Sequence, residues 1–216
     1  MIDENKLLQL LQNGCGVLSL KLSEDAQKKL IDYVFLLKKW NQTYNLTAID
    51  DPEEIILHHI LDSLAVTPYI KGMNILDVGT GAGLPGIPLA LALPDKHFVL
   101  LDSNNKKTRF LFYVITTLKI SNVEIINQRV ENYNPQKTNS FDGFDIIITR
   151  AFSSLQDILK KTKRLYNSNG CLLAMKGKVP KEEIEEINYP VIVYNLNIPG
   201  LQKERHLIVI EKINYE

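Results

Sequence analysis

Residues 74–86 read NILDVGTGAGLPG, an apolar segment that runs directly into a glycine-rich turn. Two glycine patterns overlap in this turn. Counted from Gly81, the spacing is G-x-G-x-x-G, which is typical of dinucleotide-binding loops between a strand and a helix. Counted from Gly79, the spacing is G-x-G-x-G, directly after a strand that ends near Asp77. Both patterns predict a βα unit whose loop holds a cofactor that contains adenosine.

The acid at the end of the next apolar segment supports this interpretation. Asp102 lies about 20 residues after Gly81 and is suited to accept hydrogen bonds from both ribose hydroxyls of such a cofactor. The helix predicted to begin near Gly86 would offer free amide groups and the positive end of its dipole. These features serve NAD and S-adenosylmethionine equally. A phosphate-binding P-loop is excluded because Ile87, not lysine, follows Gly86.

After residue 70, short apolar segments alternate with helical patterns, which predicts a parallel sheet covered by helices on both faces. The predicted strands are Asn74–Val78, Phe98–Asp102, Val123–Asn127, Asp145–Thr149 and Cys171–Met175. The predicted helices lie near residues 86–93, 104–119, 153–166 and 180–187. Two further strands, Val191–Leu196 and His206–Ile210, should form an antiparallel hairpin at one edge, joined through Pro199 and Gly200.

The residues before the sheet read as helices. Apolar side chains follow three- and four-residue spacing from Leu22 to Trp40, with Ser23 as the N-cap. The tetrapeptide at 51–54, Asp-Pro-Glu-Glu, combines a cap residue, a proline at the first helical position and an acidic first turn, so it begins a second helix. We therefore expect a helical cap and a sheet-containing core, which span residues 1–70 and 71–216.

Composition limits the classes of protein to which the loop can belong. A chain of 216 residues with 45% hydrophobic content can bury a full core. The 25 basic and 25 acidic side chains cancel, so any contact with nucleic acid must come from local patches. The two cysteines and four histidines show no ligand spacing, which argues against a metal site and favours the cytoplasm. The sequence shows no leader and no apolar run of the roughly 20 residues that a membrane span needs, so we expect no membrane segment.

Several observations favour S-adenosylmethionine over NAD. Asp77 stands directly before the glycines, and the chain offers no second domain for the substrate of a hydride transfer. An antiparallel hairpin at the edge of a parallel sheet is typical of class I methyltransferases. The expected fold is therefore an α/β, Rossmann-like sheet of class I, S-adenosylmethionine-dependent type with an N-terminal helical extension. An NAD-dependent oxidoreductase remains the alternative.

Seven segments spread over nearly the whole chain form an ordered set. They read WNQTYNLTAIDDPEEIILHHILDSL at 40–64, ILDVGTGAGLPGIPLA at 75–90, LLDSNNKKTRFL at 100–111, QRVENY at 128–133, ITRAFSSL at 148–155, AMKGK at 174–178 and ERHLIVI at 204–210. The set resembles the RsmG family, also called GidB, which are bacterial guanine-N7 methyltransferases of 16S ribosomal RNA. The resemblance implies S-adenosylmethionine as cofactor and the 530-loop region of the small-subunit RNA as substrate.

The candidate cofactor site combines the loop glycines with the positions that the resemblance implies. These residues are Gly79, Gly81, Gly83, Leu84, Asp102, Val130, Glu131 and Arg150. Leu84 would supply an apolar wall, and Val130 with Glu131 follows the third strand, where adenine is normally held. Arg150 ends the fourth strand, where open α/β sheets place ligands. Its guanidinium could hold the methionine carboxylate or contact the target base, and the sequence leaves both open.

The candidate RNA contacts fall into two groups. Strand ends within the matching segments provide Lys176, Arg205 and His206, and the helical cap provides Tyr44, Asn45 and His59, whose aromatic and amide groups could read an unstacked base. The basic clusters at 106–109 and 160–164 rank below them, because most such charges are solvated helix faces. The expected partner is 16S ribosomal RNA or a small-subunit particle, bound by a monomer.

No catalytic side chain is expected. Guanine N7 carries an in-plane lone pair and no proton, so its methylation needs no general base. The fourth strand is followed by TRAF at 149–152 instead of the amide-proline motif of amino-group methyltransferases. Positioning by Arg150 is therefore the main requirement. A second alternative is a non-catalytic RNA-binding protein that retains the cofactor fold.

Overall fold

The computed structural model describes residues 3–135, 141–150, 153–211 and 213. Its N-terminal part is helical, with α1 (Glu4–Val17), α2 (Glu24–Tyr44), α3 (Pro52–Ile55), a π-helical turn (Ile56–Leu61) and α4 (Asp62–Leu64). Ser23 caps α2 by accepting a hydrogen bond from the Ala26 amide, and Asp51 caps α3 through the amides of Glu53 and Glu54. Both predicted helix starts are therefore confirmed.

Helix α1 was not predicted, although its sequence carried a signal. Asp3 caps it by accepting from the amides of Asn5 and Lys6. Two glycines in its last turn weaken the local preference for helix. Gly14 is nevertheless required there, because a Cβ at this position would overlap the Leu61 side chain. Tertiary packing of α1 against the π-helical turn thus overrides a weak local propensity.

The sheet contains seven strands in the order β3-β2-β1-β4-β5-β7-β6. They are β1 (Asn74–Val78), β2 (His97–Leu101), β3 (Val123–Ile126), β4 (Phe144–Arg150), β5 (Tyr166–Lys176), β6 (Val191–Asn195) and β7 (His206–Ile210). All pairs are parallel except those of β7 with β5 and β6, which confirms the predicted hairpin. Strand β5 begins five residues before the predicted Cys171, and its register with β4 shifts between Phe144 and Ile146.

The helices between and after the strands are α5 (Gly86–Ala92), α6 (Asn105–Thr117), α7 (Leu155–Thr162) and α8 (Lys181–Glu185), each within its predicted region. Within the described ranges, no helix is long and apolar enough to cross a membrane.

Two apolar clusters cover the two faces of the sheet. One contains residues of the helical extension, such as Leu30 and Leu61, together with Ile75 and Phe110 of the sheet and α6. The other packs α7 against the opposite face. The extension therefore shares a core with the sheet, which fixes its helices over the glycine loop.

Candidate cofactor and substrate site

The candidate residues gather at the edge of the sheet that is formed by the carboxyl ends of the parallel strands β1 to β5. Arg150, the last residue of β4, pairs with Met175 of β5. Strand β7 runs in the opposite direction, so its first residue, His206, pairs with Lys176 at the same edge. The topology thus brings together residues that are far apart in the sequence.

Two glycines of the loop have different physical roles. Gly81 has a φ of 63°, in the left-handed region, and a Cβ there would meet no atom closer than 3.9 Å, so its outer side is open to a ligand. Gly83 is enclosed instead, since a Cβ would lie 2.6 Å from Ile87 and 2.7 Å from Leu111. Gly81 therefore leaves room for a cofactor, whereas Gly83 allows the loop to pack on its helix.

Asp102 is bonded to the loop and retains acceptor capacity. Its Oδ2 accepts from the Gly81 amide at 2.9 Å, and its Oδ1 accepts from the Asn104 amide at 2.8 Å. The Lys107 ammonium lies 3.9 Å from Oδ2. Each carboxylate oxygen has a second lone pair, so both can still accept a hydrogen bond from a ribose hydroxyl. The predicted role of Asp102 is compatible with this geometry.

The expectation of free amides at the start of α5 is wrong. The Gly86 amide donates to Asp77 Oδ2 at 2.9 Å, and the Ile87 amide donates to the Gly83 carbonyl at 2.7 Å. The Thr80 hydroxyl also donates to Asp77 Oδ2, at 2.7 Å. Asp77 thus ties the two ends of the loop together. Burial raises the pKa of this carboxyl to about 7, and its Oδ1 has no hydrogen-bond partner among the described residues.

The remaining amides of the loop are also used inside the protein. Intramolecular acceptors bind the amides of Gly79, Thr80, Gly81, Gly83, Leu84, Gly86 and Ile87. Pro85 has no amide hydrogen, which leaves Ala82 as the exception between residues 79 and 87. A loop of this kind has little capacity to bind a phosphate through its backbone.

The helical extension contacts the loop through Tyr33 of α2. The buried Tyr33 hydroxyl donates to the Ala82 carbonyl at 2.6 Å. Burial raises the pKa of this phenol above its usual range, so it remains a donor. Sequence analysis missed this residue, because its spacing in α2 marks it only as a core position.

We expect Tyr33→Phe to destabilise the protein by about 1–2 kcal/mol and to weaken cofactor binding severalfold, because the buried Ala82 carbonyl loses its donor. Calorimetry and a cofactor titration measure the two effects. Tyr166→Phe is a matched control, since Tyr166 is a buried tyrosine whose hydroxyl accepts from Thr162, remote from the loop. If both variants bind the cofactor as the wild type does, the Tyr33 hydroxyl has no role in the cofactor site and the side chain serves only core packing.

A cleft of about 280 Å³ adjoins the start of the loop at Gly79. Four predicted cofactor residues line it: Gly79, Asp102, Val130 and Glu131. Arg164 holds the Val130 segment by donating to the carbonyls of Val130, Glu131 and Tyr133 at 2.8, 2.9 and 2.7 Å. Leu84 is 4% exposed and belongs to the apolar core, so the structure does not make it a wall of this cleft.

A larger cavity, of about 590 Å³, lies between α7 and residues 186–189. Lys160 and Lys163 of the lower-ranked basic cluster line it, whereas the predicted cofactor residues do not.

Arg150 is bound to a buried carboxylate that sequence analysis missed. Its guanidinium donates to Asp62 Oδ2 at 3.2 Å, and the Arg205 guanidinium donates to Asp62 Oδ1 at 3.0 Å. Asp62 is 2% exposed, whereas each arginine side chain is 22% exposed. A single carboxylate of α4 therefore orients one predicted cofactor residue and one predicted RNA residue.

His59 lies behind Arg150 and not on the surface, contrary to its predicted role as an RNA contact. It is 7% exposed, because the π-helical turn packs it inside, where its Nε2 is 2.7 Å from the Thr47 hydroxyl. Its Nδ1 lies 3.4 Å from the Arg150 guanidinium. Burial and the charge of Arg150 lower the pKa of His59 to about 4, so the ring is neutral at pH 7. The His58 carbonyl is 3.0 Å from Nδ1, so the neutral ring donates from Nδ1 to this carbonyl and packs beside Arg150.

The other predicted RNA contacts differ in accessibility. The Lys176 ammonium lies 3.2 Å from both oxygens of Glu183, and the His206 ring bonds the Gly177 carbonyl at 2.9 Å. Tyr44 is 40% exposed, and the exposed Asn45 ends α2 in a left-handed conformation. Ala151 and Phe152, in the matching segment after Arg150, lie outside the described residues.

Comparison with known proteins gives full-length relatives that share one name and solved structures that share the fold. "Ribosomal RNA small subunit methyltransferase G" of Legionella pneumophila is 49% identical over 216 residues, 100% of both chains. The protein of that name from Alteromonas mediterranea is 46% identical over 215 residues, which cover 98% of this chain and 100% of the relative.

A solved structure of a "SAM dependent methyltransferase from Aquifex aeolicus" aligns with a TM-score of 0.57 and 19% identity, over 78% of this chain and 97% of that one. This likeness concerns the fold. The profile of the GidB family, described as "rRNA small subunit methyltransferase G", matches residues 26–208. With this match and relatives at 46–49% identity over essentially the full length, the chain belongs to the GidB family of small-subunit ribosomal RNA methyltransferases.

Proposed function

We propose that this protein transfers the methyl group of S-adenosylmethionine to N7 of a guanine in the 530-loop region of 16S ribosomal RNA. Family membership supports the reaction class, and the geometry of the glycine loop supports the choice of cofactor. The substrate is ribosomal RNA, either free or within a small-subunit particle.

The state of the loop amides is the observation that carries the proposal. NAD presents a pyrophosphate, which dinucleotide-binding loops hold with free backbone amides at a helix N-terminus. Here the first amides of α5 are bound by Asp77 and by the Gly83 carbonyl. S-adenosylmethionine has no phosphate and needs only a close approach and a ribose acceptor, which Gly81 and Asp102 provide. This argues against the NAD-dependent oxidoreductase.

Each residue of the site has a role in this reaction. Asp102 accepts the ribose hydroxyls, Gly79 and Gly81 admit the cofactor, and the segment of Val130 and Glu131 binds the adenine. Arg150, which Asp62 holds in place, binds either the methionine carboxylate or the guanine. When bound, S-adenosylmethionine supplies an electrophilic methyl group.

The protein's contribution is orientation. Guanine N7 needs no base, and the His59 ring beside Arg150 is neutral because burial and the charge of Arg150 lower its pKa to about 4. Holding two reactants in the productive geometry can supply up to roughly 7–11 kcal/mol of the barrier. The cluster of Asp62, Arg150 and Arg205 is well suited to this, because a buried carboxylate fixes both guanidinium groups.

We expect the single-turnover rate, with RNA and cofactor saturating, to be nearly flat from about pH 6.5 to 8.5, because no reacting group changes protonation there. His59 has lost its proton well below this range. Asp77 titrates near pH 7, but it lies beneath the loop, and saturation removes any effect on binding. A tenfold rise per pH unit that vanishes in one acid or histidine variant would show that a base acts.

We also propose that residues 1–70 form a cap and residues 71–216 a methyltransferase core, in a monomer that acts in the cytoplasm. The shared apolar cluster supports a cap that positions RNA over the cofactor. Light scattering of the purified protein tests the oligomeric state.

The decisive experiment combines ligand binding with product analysis. Isothermal titration should give binding of S-adenosylmethionine and none of NAD. Methyl transfer from labelled cofactor to 16S RNA and to small-subunit particles, followed by nucleoside mapping, should yield N7-methylguanosine. Label at another atom would overturn the N7 assignment, and no label with bound cofactor would favour the non-catalytic RNA-binding alternative.

A further inference from the structure

An aromatic group on α2 and α6 joins Tyr44, a predicted RNA contact, to residues outside the site described above. Trp40 stacks on Tyr44 with ring centres 5.2 Å apart and 26° between the planes, and its ring centre lies 5.2 Å from that of Tyr113. Trp40 also packs on the buried Phe110. Tyr44 and Tyr113 are 40% and 42% exposed. Two tyrosine rings thus reach solvent from a tryptophan that is anchored in the core.

The charges beside this group have one sign. Helix α6 contains basic residues and no acid, and the segment of α2 from Tyr33 to Tyr44 also contains lysines and no acid. Lys106, Arg109 and Tyr113 follow three- and four-residue spacing, so they share one face of α6. Neither Lys106 nor Arg109 has an acidic partner within the described ranges. The surface therefore offers aromatic faces and unpaired positive charge together.

This surface adjoins the candidate site on two sides. Lys107, the neighbour of Lys106, extends to 3.9 Å from the Asp102 carboxylate. Tyr44 is three residues from Thr47, whose hydroxyl bonds His59 behind Arg150. Three residues span at most about 10 Å, so Tyr44 lies within about 10 Å of Thr47, the residue that links this part of the chain to the Arg150 cluster through His59. An RNA strand whose guanine reaches Arg150 can pass directly over the surface.

We propose that the α2–α6 surface, formed by Trp40, Tyr44, Lys106, Arg109 and Tyr113, binds single-stranded nucleotides that flank the target guanine. The two tyrosine rings stack on unpaired bases, and the cations contact the adjoining phosphates. Double-stranded RNA is a poor ligand, because its base faces are covered by stacking. This inference rests on the proposed function and adds where the substrate strand lies.

Fluorescence anisotropy with a labelled single-stranded RNA of about 12 nucleotides, at low salt, tests the surface directly. Tyr44→Ala and Tyr113→Ala should each weaken binding roughly tenfold, because each loses a stacked base. Tyr113→Phe keeps the ring and should bind as the wild type does. Arg109→Ala should reduce the slope of log affinity against log salt by roughly 0.7, the value for one phosphate contact to a single strand.

Phe112→Ala is the matched control, because Phe112 is 50% exposed on α6 but outside the stacked group. It should leave RNA affinity unchanged, and none of the variants should alter cofactor affinity. Wild-type RNA affinity in both tyrosine variants, or equal losses in Phe112→Ala, would overturn the proposal. Arg109 is exposed and its replacement does not disturb packing, so a wild-type salt slope in that variant also counts against it.

The outcomes separate this inference from the proposed function. If the variants lose RNA affinity as expected while the wild type transfers no methyl group to ribosomal RNA, the surface stands and the proposed reaction fails. If methyl transfer proceeds normally in the tyrosine variants at limiting RNA, the reaction stands and the surface fails.

Discussion

Asp62→Asn is expected to slow methyl transfer about 100-fold, the typical cost of an error of about 1 Å in positioning. The asparagine keeps one oxygen acceptor and turns its NH2 group toward the other guanidinium. Arg150 and Arg205 therefore lose their common charged acceptor. We also expect a loss of about 2 kcal/mol in the free energy of unfolding, as for hydrogen bonds to charged groups. Single-turnover kinetics and calorimetry measure the two effects.

Asp145→Asn is the control for a purely structural loss. Asp145 accepts from the amides of Met73 and Asn74 at the opposite edge of the sheet, so its replacement should lower stability and leave the transfer rate unchanged. An unchanged or increased rate in Asp62→Asn would contradict the positioning role.

Cofactor titration of Asp62→Asn and Arg150→Ala then separates the two roles left open for Arg150. A weaker cofactor affinity indicates the methionine carboxylate, and an unchanged affinity indicates the base.

Asp102→Ala should weaken the affinity for S-adenosylmethionine about thirtyfold, which corresponds to about 2 kcal/mol for a lost charge-assisted contact. The variant also releases the Gly81 amide, which donates to Asp102 in the structure, so both the ribose contact and the loop conformation contribute. RNA affinity should change much less. Isothermal titration measures the first quantity and RNA anisotropy the second.

Asp95→Ala tests the specificity of that result. Asp95 is an exposed acid just before the start of β2, whereas Asp102 follows the end of that strand. It should bind the cofactor as the wild type does. A wild-type dissociation constant in Asp102→Ala would remove Asp102 from the site.

Local patterns in the sequence were sufficient for the βα core. Strand β1 and its glycine loop were predicted correctly, since both depend on contiguous residues whose burial and backbone conformation follow from residue type. The same holds for the caps at Ser23 and Asp51, where one side chain bonds amides two or three residues away. Helix α1 escaped prediction because Leu61, a distant residue, determines the fit of Gly14.

The candidate site also contains features that depend on local sequence and features that depend on distant residues. Asp102 could be proposed from the sequence because it follows the loop at a spacing set by one βα unit. Asp62 was not, because it lies 88 residues from Arg150 and 143 from Arg205, and no local pattern links residues that far apart. The free amides expected at α5 are bound by Asp77, and His59 is buried by a π-helical turn, so burial and partners reversed both local expectations. Residue type and spacing thus determine the glycine loop, whereas the arginine cluster forms where the N-terminal helices meet the end of β4 and the start of β7.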